Sequence, residues 1–276
     1  MTWETQQIGE SKLILHVGAA KAGLEDVTAV ATPEATDTWV PVAHRDVIDE
    51  VSSCLGRTGM AVTESAFALY GNGARFFGLL GLDCKGGDGG NAYQLVVGIR
   101  NSHDRTFPVG LVVGSRVFVC DNLAFSSEIT VTRRHTKNVM DDFPRLITTA
   151  VGRIADAADV QERRFAHYRD VKMTDEQAHD MLIQSMDIKA VGSVALPKIL
   201  QEWREPSQEA FREDFSAWRL WNAYTEVFKG YGGERLPARS IALQGLFDVY
   251  TRFVRTPREN AASDIIPAVE EAAIVA

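Results

Sequence analysis

The sequence predicts an α+β fold: a central antiparallel β-sheet, wound as a meander, preceded by a helix and followed by a mostly helical C-terminal half packed on it. Three observations predict this. Hydrophobic residues recur at helical spacing over residues 42–55, in strand-like runs over 66–134, and at helical spacing again from Phe143 onward. Turn signals divide the middle stretch at short intervals, at Gly71-Asn72-Gly73, Gly86-Gly87-Asp88-Gly89-Gly90 and Asn101-Ser102-His103-Asp104. With 276 residues, 45% of them hydrophobic and 24% charged, the chain is long and apolar enough for one large domain or two small ones.

The elements follow in order. Val47, Ile48, Val51, Cys54 and Leu55 line one face of a helix that Pro41 starts and Gly56 or Gly59 ends. Strands are expected over 66–70, 74–82, 93–100, 109–120 and 128–134. The glycine run at 86–90 lacks the Lys-Ser/Thr and the helix that a phosphate loop needs, so it reads as a hairpin loop. Thr174-Asp175-Glu176-Gln177 has the form of a capping box ahead of Ala178, Met181, Leu182 and Met186. Ser207 is expected to cap a longer helix with the stripe Phe211, Phe215, Trp218, Trp221, Asn222, Thr225 and Phe228, closed at Lys229-Gly230. At that spacing the aromatic stripe is core packing before it is a base-stacking platform. A last helix covers roughly 238–254. The chain thus divides into an N-terminal extension (1–40), a sheet region with its leading helix (41–142), a helical region (143–255) and an acidic tail (256–276).

Charge adds a functional bias. Lys and Arg number 29 against 37 Asp and Glu, a net charge of −8, which excludes a uniformly basic coat for duplex DNA. Residues 61–140 alone are basic, with 8 Lys/Arg against 6 Asp/Glu. The first ten residues carry neither the positive nor the apolar region of a secretion signal. No run approaches the ~18 apolar residues of a membrane helix, and the expected location is cytoplasmic. Cys54, Cys84 and Cys120 are odd in number and widely spaced, so no disulfide, zinc ribbon or redox pair is expected. No cofactor motif and no metal-ligand spacing is found.

Polar residues gather where strands are expected to end: Arg100-Asn101-Ser102-His103-Asp104, Cys120-Asp121-Asn122 and Arg133-Arg134-His135-Thr136-Lys137. In a meander, neighbouring strand ends lie side by side at about 4.8 Å, which points to a shared rim. Three readings compete for it. Asn101, Ser102, Asp104 and Asn122 suit backbone capping in tight turns. Arg134, Thr130 and Thr132 on one face suit phosphate oxygens. His103, Asp104, Cys120 and His135 have the residue types of a metal or thiol hydrolase, without a recognised spacing. The other histidines, His16, His44, His167 and His179, read as structural.

At these residues the chain resembles the phage/plasmid-like domain-of-unknown-function family number 932, the prophage proteins of the YafZ, YfjQ and YubP type. The resemblance rests on 41–44 (Pro-Val-Ala-His), 75–78 (Arg-Phe-Phe-Gly), 100–104, 114–123, 134–136, Glu202-Trp203 and 218–226, and spans roughly residues 35–250. It implies a mobile-element setting and no established chemistry. The order of elements is also similar, in topology alone, to the core of single-strand annealing recombinases, which grip DNA backbone as ring or filament oligomers. The expectation is therefore a nucleic-acid-binding, homo-oligomeric protein acting on single-stranded DNA. Arg100, Arg116, Arg133, Arg134 and Lys137 are the expected phosphate contacts, and His103 and His135 neutral donors beside them. The alternatives are a hydrolase at the same rim and a protein-binding inhibitor of host defence that uses the acidic flanks.

Overall fold

A computed structural model describes residues 6–7, 19–86, 93–117, 122–231 and 235–255. Strand β1 (Gln6–Gln7), strand β2 (Ala20–Ala22) and the short helix α1 (Leu24–Ala29) precede helix α2 (His44–Arg57). A meander follows: β3 (Val62–Tyr70), β4 (Arg75–Gly86), β5 (Tyr93–Ser102), β6 (Val109–Val117) and β7 (Asn122–Arg133). Among the described residues seven strands form one sheet, with β3 to β7 antiparallel in chain order and both β1 and β2 on β3. The α+β expectation holds, and five strands stand where the two-residue period was read.

Alternation decides the faces. Phe76, Leu80, Val97, Ile99, Ile129 and Val131 point to one side and are buried where α2 and α3 (Val139–Val151) pack. Gly78 of this face has no room for a side chain, since a Cβ there would lie 2.9 Å from Ile99 and from the ring of Phe76. Helices α4 (Ile154–Asp170), α5 (Asp175–Asp187), α6 (Leu196–Arg204), α7 (Ala217–Phe228) and α8 (Leu236–Thr251) make up the rest. α4, α7 and α8 pack against β7, α5 and α6 pack on α8 and α7, and the group joins one core with the sheet through Tyr93, Phe165 and Trp218, with ring centroids 5.1 and 4.5 Å apart. The Thr174 capping box of α5 is present as read, Thr174 Oγ1 accepting from Gln177 N.

The long helix expected from Ser207 is not formed. Ser207 spends its N–H and Oγ on the Glu202 carboxylate, residues 209–211 make a 3-10 turn, and Ser216 bridges back to Lys172. Helix α7 starts only after Ser216, whose Oγ accepts from Arg219 N. The break resets the helical phase, so Phe215 is half exposed while Phe211, Trp218, Trp221 and Phe228 are buried. A cap of this kind contributes about 1 kcal/mol. Ser216→Ala is thus expected to lower the unfolding free energy by at least that much in urea titration, and Ser207→Ala by under about half of it.

Strand limits also differ: β3 begins at Val62 rather than 66 and β4 runs on to Gly86 rather than 82. β7 begins at Asn122 rather than 128, because pairing with β6 carries the segment from Asn122 to Phe125 into the ladder despite its lack of β-branched residues. β6 is described only to Val117. Cys54 is a free, buried thiol; the side chains of Cys84 and Cys120, residues 87–90 of the glycine run and the tail from 256 onward lie outside the described residues. No helix among the described residues is long and apolar enough to cross a membrane.

Candidate functional site

Antiparallel pairing brings the start of β4, the end of β5, the start of β6 and the end of β7 to one end of the sheet. Arg75 lies opposite Ser102, and Val109 opposite Arg133. The segment leading into α2 crosses this end, with Val40 N donating to His135 O (3.1 Å). The turn after β5 is tied to the turn before β4 by His103 N donating to Ala74 O (2.6 Å). Four of the signature segments, 41–44, 75–78, 100–104 and 134–136, therefore meet here.

At the centre stands a column of rings. His44 lies face to face with His103 at 3.9 Å between centroids and 6° between planes, and Phe76 stacks on its other side at 5.4 Å. Hydrogen bonding fixes the tautomers. Gly73 O can only accept, so His44 Nε2, 2.9 Å away, carries the proton. His44 Nδ1 then accepts from Asn101 Nδ2 (2.9 Å), which donates its second hydrogen to Val42 O (2.7 Å). His103 Nε2 donates to the same carbonyl (2.9 Å), which leaves His103 Nδ1 a buried lone pair with no partner among the described residues. Asn101 Oδ1 and both ring nitrogens of His135 are likewise buried and unpartnered there.

These rings are held neutral at pH 7. Burial lowers His44 to about 4, the facing His103 pushing the same way against the bond to Gly73. His103 is lowered by burial against its bond to Val42 O, and His135 by burial with His103 adding to it. His103 donates inward to the backbone rather than outward from the rim. His44, set aside as structural in the sequence reading, is the pivot of the column. The signal that could have found it was its place in the signature at 41–44.

The cations surround the column unevenly. Arg134 and Lys137 are exposed and pair with no carboxylate among the described residues. Arg133 is paired with Asp142 at 2.5 Å. Arg100 lies on the opposite face of the sheet, its guanidinium 5.4 Å from the ring of Phe107. Arg116 is the clear departure from a shared rim. It sits at the other end of the sheet opposite Leu123, nearly buried, bonded to Glu64 (2.7 Å) and Gln94 (2.9 Å). Two arginines that the sequence reading missed take its place. Arg75 binds Asp104 (2.6 Å) and lies 5.8 Å from the Tyr70 ring; Arg105 lies 4.7 Å from the Trp39 ring. Trp39 in turn stacks on His135 at 6.0 Å and 10°. Arg105 is left-handed (φ 65°), a conformation unfavourable for so bulky a residue, at an exposed turn of this site.

Among the described residues the members of the hydrolase set, His103, Asp104 and His135, do not bond to one another. Asp104 is committed to Arg75 and to the N–H and hydroxyl of Thr106; burial raises its carboxyl, but these bonds outweigh it and hold it below the ordinary range. It makes no bond to His103 or His135. Cys120 and Asp121 lie outside the described residues, and the strand residues beside them, Val117 and Asn122, pair at the end of the sheet remote from His103. No three His, Cys, Asp or Glu side chains among the described residues are arranged to hold a metal ion.

The later signature segments are structural. Arg219 of α7 donates to the carbonyls of Arg212 (3.0 Å), Arg204 (3.1 Å) and Trp203, while Trp203 Nε1 donates to Asp175 (2.9 Å), which pins α6 to α5 and α7. No curated protein and no solved structure matches the chain. One family profile does, over residues 34–258, and by that match the chain belongs to the family described as Domain of unknown function (DUF932).

Proposed function

We propose that this protein binds single-stranded nucleic acid at the end of the sheet where the histidine column stands. The observation that carries the reading is the interleaving of cations and rings: Arg105 on Trp39, Arg75 on Tyr70 and Arg100 on Phe107, with Tyr70 and Phe107 themselves 6.5 Å apart. Guanidinium groups neutralise phosphates while partly exposed rings stack on bases of any sequence, the combination that single-strand binding uses. Arg134 and Lys137 supply further charge beside Trp39. The neutral column beneath contributes no charge; it fixes the 39–44 segment and so positions Trp39. Because the chain carries −8 overall, its field opposes a polyanion, and several copies acting together are the route to useful affinity. Membership of a phage, prophage or plasmid system and a role in recombination or replication extend the same reading, supported by the resemblance of the signature segments.

The test is fluorescence anisotropy with labelled single-stranded and duplex oligonucleotides at two salt concentrations. The single strand is expected to bind more tightly, with affinity falling steeply as salt rises. Arg134→Ala with Lys137→Ala is expected to reduce the salt slope by about one to two units for all sequences alike. Arg105→Gly suits the left-handed turn and leaves folding intact, and it is expected to weaken binding through loss of both the charge and the Trp39 stack. Absence of binding at low salt, or binding untouched by these changes, excludes this surface.

A further inference from the structure

Behind the Arg100–Phe107 stack, on the face of the sheet opposite the histidine column, the first turns of α8 stand off from the strands and leave a hollow of about 170 Å³. Its walls are apolar: Phe77 and Val112 from the sheet, Pro237 and Ile241 from α8. The floor is made of glycine, Gly98 on β5 and Gly110 on β6. Glycine inside a strand weakens it and marks a place where something else approaches the backbone. At Gly110 the reason is visible, since a Cβ would press on the Val131 carbonyl oxygen at 3.1 Å, on Thr132 Cγ2 at 3.2 Å and on Arg100 Nε at 3.3 Å. Three polar groups reach the hollow: Arg100 and the hydroxyls of Thr130 and Thr132. Thr130 Oγ1 is buried with no hydrogen-bond partner among the described residues, a costly state unless something fills it.

We propose that this hollow holds one pyrimidine nucleotide of a bound single strand, its ring between Phe77 and α8 and its phosphate on Arg100. The inference rests on the single-strand reading for the source of its ligand. Size sets the base. An apolar cavity of about 150 Å³ takes one benzene ring, so this one fits a single six-membered ring with its substituents more closely than a fused purine. Chemistry agrees with size: an apolar slot with a few convergent polar groups suits a planar heterocycle, and threonine hydroxyls both donate and accept. They therefore serve the polar edges of thymine, uracil and cytosine alike. Arg100 fits a phosphate rather than a base edge because its guanidinium already lies over Phe107.

Two probes separate this from the wider reading: thymidine 5′-monophosphate and 2′-deoxyguanosine 5′-monophosphate, titrated into the full chain and followed by saturation-transfer NMR. The pyrimidine nucleotide is expected to bind at least tenfold more tightly than the purine, and thymidine without its phosphate at least tenfold more weakly. Ala238 is exposed on α8 and lines the hollow, so Ala238→Phe fills it without disturbing the core and is expected to abolish mononucleotide binding at an unchanged melting temperature. Arg100→Met is expected to erase the difference between the nucleotide and the nucleoside. Equal binding of the two nucleotides, or pyrimidine binding untouched by Ala238→Phe, overturns the proposal. If the mononucleotide fails to bind while oligo(dT) still does, the hollow is excluded and the single-strand reading stands. If neither binds, both fall.

Discussion

Asn101→Ala is expected to lower the unfolding free energy by about 3 kcal/mol, although the residue is polar and no member of the hydrophobic stripes that define the fold. Asn101 is fully buried and its amide supplies both hydrogens that hold the column: one to Val42 O, one to His44 Nδ1. Val42 O keeps the His103 bond after the change, but His44 Nδ1 is left as a buried acceptor without a donor. A stranded group of this kind costs about 1–3 kcal/mol, and the space left by the amide adds to it. Asn101→Asp should be at least as damaging at pH 7, since it sets a buried carboxylate against a ring nitrogen that can only accept. Urea titration of Asn101→Ala, His44→Ala and the double variant tests the pairing directly. The double variant is expected to fall short of the sum by at least about 1 kcal/mol, because each single change removes the same bond. Additive losses, or an Asn101→Ala cost below about 1 kcal/mol, would show that the column does not hold the segment. Since Trp39 precedes that segment, the same variant should also weaken oligonucleotide binding, at temperatures where it remains folded.

Periodicity revealed the elements well and the site less well, for a physical reason. Val47, Ile48 and Val51, or Leu95, Val97 and Ile99, are placed by near neighbours in sequence, and spacing alone discloses which side they bury. His44 is placed by Asn101, 57 residues away, and no spacing rule links an imidazole on a helix to an amide at the end of a strand. Arg116 carries a different lesson. It stands on the same face as Arg100, but β5 ends where β6 begins, and Arg116 is near the far end of β6 beside Gln94. Counting charge over 61–140 pooled both ends of the sheet; following the meander's alternating directions would have parted them. Ser207 lost to a competitor, because Ser216 offers the same cap with its hydroxyl free of Glu202. The resemblance supplied what periodicity could not. Its segments at 41–44, 75–78, 100–104 and 134–136 have no common period, and they converge in space.

The column should also make the protein sensitive to mild acid, well above the range in which carboxylates titrate. His44 titrates near 6.5 when unfolded and near 4 when folded, so the unfolded chain takes up the proton first and folding is penalised as pH falls. The penalty begins near pH 6.5, reaches about 2 kcal/mol by pH 5 and levels off at about 3 kcal/mol below pH 4. His103 and His135 are lowered too and act in the same direction. The first proton has a preferred seat: His103 Nδ1 is free to take it, whereas protonating His44 breaks the Asn101 bond. Once charged, His103 repels any proton on His44, only 3.9 Å away between ring centres. Asp104 works in a separate window. Its carboxyl is lowered from 3.8, so the stability it contributes is present above that value and is lost only as pH falls further. Between pH 6.5 and 5 the slope therefore belongs to the histidines. Urea titrations at pH 7.5, 6 and 5 should show the loss. His44→Gln retains an N–H donor toward Gly73 O without a titrating group, so it should remove the His44 share of the slope, His103 and His135 keeping theirs, while costing stability at pH 7.5. A profile level from pH 7.5 to 5, or one that His44→Gln leaves unchanged, would mean that the column is not buried and neutral in solution.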